Sequence, residues 1–270
     1  VAEKVANGTK LLSCQHGGGY GVNANINLDK YEWGLCDKYL TWGSWTNNLY
    51  KEKLTRFYIT KRYWIRNYKY EKEGNILLIG ASCRKYFYSF QEGQLPTYNP
   101  THVDFNKRLI RDLDKDAYVK LLYRFHNQMG YNEVNKILSE FSDINTSLRE
   151  DESHFYRLIN EARLSIITAN FTTFLQTFTV NHPTVLLWDP EFIKIRKSAR
   201  KYYDLLNEAG ILYYSPELCA KKINEIYNNP MEWWMDDRVQ SVKNEFCEQF
   251  CRNTDDLAGE LAKVVNEMRQ

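Results

Sequence analysis

The residues best suited to chemistry fall in two stretches, Gln15-His16-Gly17-Gly18-Gly19-Tyr20-Gly21 and Asn170-Phe171-Thr172-Thr173. Glycines at 17, 18, 19 and 21 free the backbone to take positive φ and to approach a ligand closely. His16 at the edge of that loop carries an imidazole, the side chain that most often serves as a general base. The alternative is a glycine turn carrying a surface histidine. Asn170, Thr172 and Thr173 stand where a strand gives way to a helix. Free backbone N–H groups and the positive end of the helix dipole make such a start a seat for phosphate. The same three residues also read as ordinary helix caps in an empty turn.

Elements on either side must position these groups. Leu164–Thr168 and Thr184–Trp188 are short apolar, β-branched runs, the second following the breaker Asn181-His182-Pro183. Phe174, Leu175 and Phe178 share one helical face between them, so residues 164–188 read as a βαβ unit. Lys10–Cys14 is a strand candidate that runs into the glycine loop, and Leu35–Thr41 is another. Asn75–Gly80 is a continuous apolar run of the kind buried in a parallel sheet. The pattern continues with helices over 103–113, 132–141, 153–162 and 198–208, strands over 118–125 and 211–214, and a loop over 142–152. Ser215-Pro216-Glu217 opens a further helix with a preferred cap, a first-turn proline and an acid. Asn228-Asn229-Pro230 ends it, one longer helix then carries Trp233 through Phe246, and a last helix covers 255–268. The alternation predicts an α/β fold with a doubly wound parallel, Rossmann-like sheet. The expected units are 1–73, 74–252 and 253–270.

A chain of 270 residues, 43% hydrophobic and 26% charged, is ordinary globular material able to bury a large core. Its net charge of +2 gives no argument for nucleic acid. The Lys61–Tyr70 stretch interleaves basic and aromatic residues, as a nucleic-acid or anionic membrane surface would, but Glu71 and Glu73 follow at once and favour a solvated face or linker. The six cysteines show no Cys-x-x-Cys and no paired Cys/His spacing of a zinc site, which predicts a reduced, cytosolic compartment. Beginning at Val1 and reaching a candidate site by His16, the chain is expected to be part of a longer polypeptide.

His16-Gly-Gly-Gly also matches the oxyanion loop of α/β-hydrolase esterases, whose nucleophile sits on a Gly-x-Ser-x-Gly elbow. Gly80-Ala81-Ser82-Cys83-Arg84 offers Ser82 in that role, with Arg84 in place of the last glycine. No histidine lies beyond His182 to complete the order Ser, acid, His.

Gln15–Gly21 with Tyr39-Leu40-Thr41-Trp42-Gly43, Asn170–Pro183, and Ala209-Gly210-Ile211 through Ser215-Pro216-Glu217 to Trp233-Trp234 together resemble a bacterial family of surface-carbohydrate biosynthesis transferases. That family is distantly similar to CDP-glycerol glycerophosphotransferases and to CMP-sugar-dependent glycosyltransferases of the GT-B type. The resemblance implies a carboxyl-terminal donor domain of GT-B type with a remnant of the amino-terminal acceptor domain, in a chain about half the usual length. It assigns His16, on the loop Gly17, Gly18 and Gly19, as the base. It places Ser82, Arg84, Arg124, His126, Asn170, Thr172, Thr173, Glu191 and Arg196 around the donor nucleotide and its phosphates. Asn127 follows His126 where relatives show proline, and Lys194 precedes Ile195-Arg196 where an acid is usual, leaving Glu191 as the nearest carboxylate for a ribose.

The expectation is a metal-independent transferase without a cofactor, moving a sugar or polyol phosphate from a CMP- or CDP-linked donor to a glycan or lipid-linked glycan. Such an enzyme would work in the cytoplasm or peripherally at the inner face of the cell membrane, without nucleic acid. The alternatives are a non-catalytic nucleotide-sugar-binding domain and the esterase built on His16 and Ser82.

Overall fold

The computed structural model describes the chain except residues 25–27, 61–66, 82–83, 88–94, 126–129, 149–151 and 270. Two parallel sheets carry it. The smaller holds β1 (Leu12–Cys14), β2 (Lys38–Thr41) and β3 (Leu54–Arg56) in that order, with α1 (Ala2–Ala6) ahead of β1 and α2 (Leu28–Leu35) between β1 and β2. The larger comprises β4 (Asn75–Ile79), β5 (Leu121–Phe125), β6 (Asn145–Leu148), β7 (Ala162–Ile167), β8 (Thr184–Leu187) and β9 (Leu212–Tyr213). Its order is β6-β5-β4-β7-β8-β9, with every ladder parallel. The chain winds outward from β4 to β6, returns to β7 and winds out the other way. That reversal opens a crevice at the carboxyl ends of β4 and β7, the place where open α/β sheets bind ligands.

Helices α3 (Asn99–Arg111), α4 (Lys115–Val119), α5 (Glu133–Leu138), α6 (Glu152–Asn160), α7 (Thr172–Thr179), α8 (Lys197–Glu208) and α9 (Pro216–Ile226) fill the crossovers and cover both faces. Strand β4 shows why both faces are apolar. Ile76 and Leu78 pack with Leu109 of α3, Ile137 of α5 and Ile223 of α9, while Leu77 and Ile79 pack with Phe174 of α7 and Leu206 of α8. Successive side chains of a strand point to opposite faces, so a continuous Ile-Leu-Leu-Ile run suits a sheet covered twice.

After α10 (Pro230–Trp234) and α11 (Asp237–Phe250) the chain crosses back. The Arg252 amide donates to the Trp42 carbonyl at 2.8 Å, and the Ile59 amide to the Arg252 carbonyl at 2.7 Å. Helix α12 (Leu257–Arg269) then lies on the smaller sheet, where Val264, Leu257 and Met268 meet Leu40 and Phe57. The carboxyl-terminal helix thus belongs to the same layer as residues 12–56. No helix among the described residues is long and apolar enough to cross a membrane.

Several elements depart from the sequence pattern. The expected strand 35–41 divides into the end of α2 at Leu35 and β2 from Lys38, and Tyr118-Val119 close α4 before β5 begins at Leu121. Strands β3 and β6 were not expected. Both are sheet edges, and Asn145-Thr146-Ser147-Leu148 has none of the apolar repetition that marks a covered strand. The single helix expected over Trp233–Phe246 breaks at Met235-Asp236, because the Asp236 carboxylate caps α11 by accepting from the amides of Arg238 (2.9 Å) and Val239 (3.3 Å). Trp234 is fully buried and Trp233 only partly.

His182, at the amino end of β8, is fully buried between Ser165 Oγ at 2.9 Å from Nε2 and the Tyr68 hydroxyl at 2.8 Å from Nδ1. Burial pushes its pKa down to about 3, from an ordinary 6.5. The unfolded chain therefore takes up a proton that the folded chain refuses. The stability this neutral ring contributes is fully present above about pH 6.5 and is lost as pH falls toward 3, at about 1.4 kcal/mol per pH unit. Urea unfolding between pH 4 and 7 is expected to show this slope, and His182→Gln to flatten it; an unchanged slope in that variant would assign the acid sensitivity elsewhere.

Candidate active site

Gln15 directly follows β1 and fixes the start of the glycine loop. Its amide oxygen accepts from the Trp42 backbone (2.9 Å) and from Trp45 Nε1 (3.1 Å), and its Nε2 donates to the Gly17 carbonyl at 2.8 Å. So held, the loop meets the first turn of α7. The Gly18 amide donates to Thr172 Oγ1 at 3.1 Å. A Cβ on Gly18 would fall 2.6 Å from the carbonyl carbon and oxygen of Phe171 and 2.8 Å from the Thr172 nitrogen, so only glycine permits this approach. Gly21 closes the loop at φ +71.

Phe171 precedes α7 in an extended conformation, and no side chain caps the helix. Its first-turn amides and dipole are thus not satisfied from within, which is the electrostatic character of an anion seat. Thr172 and Thr173 border this start at partial burial. Asn170 has a different task. It is buried, its Nδ2 donates to Asn23 Oδ1 at 2.6 Å, and its Oδ1 accepts from the Tyr203 hydroxyl at 2.8 Å. Burial lifts the Tyr203 phenol well above its usual pKa, so it stays protonated and donating. Asn170 therefore ties the segment before α7 to α8 and to the loop after β1.

The His16 side chain is 68% exposed. Its Nε2 lies 3.1 Å from Glu32 Oε1 and in close contact with the Tyr20 hydroxyl. Tyr20 donates to Glu32 Oε1 at 2.8 Å, and Tyr39 to Glu32 Oε2 at 3.0 Å. None of Tyr20, Glu32 or Tyr39 was singled out for chemistry from the sequence. No spacing rule connects a helix residue at 32 with a loop residue at 16; the packing of α2 on β2 makes the link.

The remaining candidates are spread more widely. Ser82 and His126 lie outside the described residues. Arg84 is half-buried on the loop after β4, pairs with Gly130 in an isolated bridge, and its carbonyl accepts from Asn99 Nδ2. Arg124, at the end of β5, is buried with its guanidinium 5.4 Å from the Phe155 ring of α6. Glu191 is exposed on the turn after β8, its amide donating to Asp189 Oδ1 at 2.7 Å. Arg196 spans the two sheets. It donates to the buried Asp29 carboxylate at 2.6 Å and to the Asn23 carbonyl at 3.0 Å. Beneath Gly80 and Ala81, a buried group of His102, Asn106, Tyr123 and Glu133 supports the loop after β4, with the Ala81 amide donating to His102 Nε2 at 3.3 Å. Among the described residues, no three His, Cys, Asp or Glu side chains converge as a metal cage.

Of the esterase alternative, Ser82 lies outside the described residues, Gly18 packs on the start of α7, and His182 is held at the amino end of β8.

The model of the LIC12162 family transferase matches residues 1–265. A search of curated protein sequences gave no match. Among solved structures, a mutant of S. aureus TarM in complex with Fondaparinux, alpha-GlcNAc-glycerol and UDP superposes with TM-score 0.53 at 12% identity, over 96% of this chain and 50% of that one. S. aureus MnaA with UDP gives TM-score 0.55 at 14% identity, over 99% and 69% of the two chains. A Listeria monocytogenes protein described as a UDP-N-acetylglucosamine 2-epimerase gives 0.56 at 10% identity, over 100% and 71%. The chain thus spans half the length of the first of these. At such identities the likeness establishes the fold, which is that of the GT-B glycosyltransferases.

Proposed function

The chain belongs to the LIC12162 family of transferases, and from that premise we propose that it moves a sugar or polyol phosphate from a cytidine-nucleotide donor to a glycan acceptor during cell-surface polysaccharide synthesis. The observation that supports this reading is the hydrogen bond from the Gly18 amide to Thr172 Oγ1, which joins the glycine loop, two residues after the exposed His16, to the uncapped start of α7. Charge develops on the departing nucleotide as its bond to the transferred group breaks. Backbone N–H groups already oriented at a helix start stabilise that charge without reorganisation. The acceptor hydroxyl loses its proton as it attacks, and His16 is the base placed to take it. In this account the first turn of α7, with Thr172 and Thr173, faces the donor phosphate, Arg84 and Glu191 flank the crevice, and Asn170 and Arg196 hold its walls. Arg124 stands near the end of β5, next to the switch point, and His126 lies outside the described residues. The reading needs no metal, and places the work in the cytoplasm or at the inner membrane face, on a glycan or lipid-linked glycan.

Titration calorimetry with CMP, CDP, UDP and GDP tests the donor class. CMP or CDP is expected to bind at least tenfold more tightly than UDP or GDP. Thr172→Val, which removes the hydroxyl that Gly18 uses, is expected to weaken binding by about tenfold, the equivalent of one net hydrogen bond. A preference for UDP would overturn the cytidine assignment, and no binding by any of the four would overturn the nucleotide site. Binding without release of CMP or CDP in the presence of acceptor glycans would favour a non-catalytic binding module.

A further inference from the structure

Glu32 sits in the middle of α2, and its carboxylate is ringed by donors. The Tyr20 hydroxyl reaches Oε1 at 2.8 Å, the Tyr39 hydroxyl reaches Oε2 at 3.0 Å, and His16 Nε2 stands 3.1 Å from Oε1. Tyr39 is fully buried and Tyr20 nearly so. Burial, reinforced by the Glu32 charge, pushes both phenols above their usual pKa, so each keeps its proton and spends it on the carboxylate. An ionised carboxylate only accepts, and the Tyr20 proton already points at it. The ring nitrogen facing this pair must therefore bring its own hydrogen, so Nε2 is the protonated one. Nδ1 makes no hydrogen bond to any described residue, on a side chain 68% exposed.

We infer that Glu32 is a positioning residue that locks His16 in the Nε2–H tautomer, so that Nδ1 is the nitrogen that takes the acceptor proton. The second half rests on the transferase reading; the tautomer lock does not. In the step itself, the acceptor O–H gives its proton to Nδ1 while its oxygen bonds to the transferred group. The bond from that group to the nucleotide oxygen breaks, and its electron pair leaves with the nucleotide. Glu32 balances the imidazolium that results, as a carboxylate behind a catalytic histidine does in other enzymes.

Ring ¹⁵N NMR of the full chain labelled at histidine, recorded at alkaline pH with His16→Gln for assignment, reads the tautomer directly. The wild type is expected to show a single form protonated at Nε2. Glu32→Gln turns a pure acceptor into an amide that also donates, and is expected to populate the Nδ1–H form. Tyr20→Phe keeps the carboxylate and is expected to keep the lock, which makes it the folded control. Transfer by Glu32→Gln is expected to fall about 10²- to 10⁴-fold in kcat with the donor KM little changed. A wild type protonated at Nδ1, a tautomer unmoved in Glu32→Gln, or a lock lost in Tyr20→Phe would each overturn the assignment. Calorimetry with CMP on the same samples separates the two claims. Absent binding with a moved tautomer removes the transferase reading alone, and intact binding with an unmoved tautomer removes the Glu32 inference alone.

Discussion

Alanine in place of His16 is expected to lower the rate of transfer by about 10²- to 10⁴-fold, the range of a lost general base, while nucleotide affinity stays within about twofold. The separation follows from where the two functions sit. The imidazole is 68% exposed, so trimming it opens no cavity, and the contacts it gives up are those with Tyr20 and Glu32, away from α7. The proposed phosphate seat is made by the first turn of α7, which His16 does not complete. Nucleotide release in the presence of acceptor, read beside calorimetry on the same protein, checks the result. Loss of both in parallel would make the ring a structural prop, and retention of both would remove the base from the mechanism.

Gly18→Ala is expected to abolish binding and transfer together. The added Cβ would meet three backbone atoms of Phe171 and Thr172, none farther than 2.8 Å, and backbone cannot turn aside as a side chain does. Nor can the loop back away easily, because Gln15 anchors it through Trp42, Trp45 and Gly17. Overpacking of this kind costs about 1–3 kcal/mol. In a chain of this size that lowers Tm by roughly 2–4 °C for each kcal/mol. Gly17→Ala is the matched control, since its Cβ would come no nearer than 3.9 Å to Thr172 Oγ1 and would be accommodated. Thermal melts and calorimetry on the two variants decide the point. Equal behaviour would show that the approach of Gly18 to α7 is dispensable.

Covered strands were legible in the sequence because burial on two faces leaves an unbroken apolar run, as at Ile76–Ile79 and Val185–Trp188. The βαβ unit around α7 and the glycine loop could be read for the same reason: local pattern and local turn chemistry coincide there. What escaped was what tertiary packing alone decides. Strands β3 and β6 pair on one side only, so nothing compels their residues to be apolar. Glu32 approaches His16 through the packing of a helix onto a neighbouring strand, which no spacing encodes. Asn170 and Arg196 were identified as polar groups near a crevice. Only coordinates show that one holds Asn23 and Tyr203, and that the other reaches Asp29 in the opposite half.

Ile59 and Arg252 mark the two places where the polypeptide passes between the layers, and a hydrogen bond of 2.7 Å joins them. Outgoing and returning passages thus run side by side as a single doubled strap. One buried core holds Trp42 and Trp45 with Phe174, Phe246 and Phe250, so a load on either passage is shared by the other and by that core.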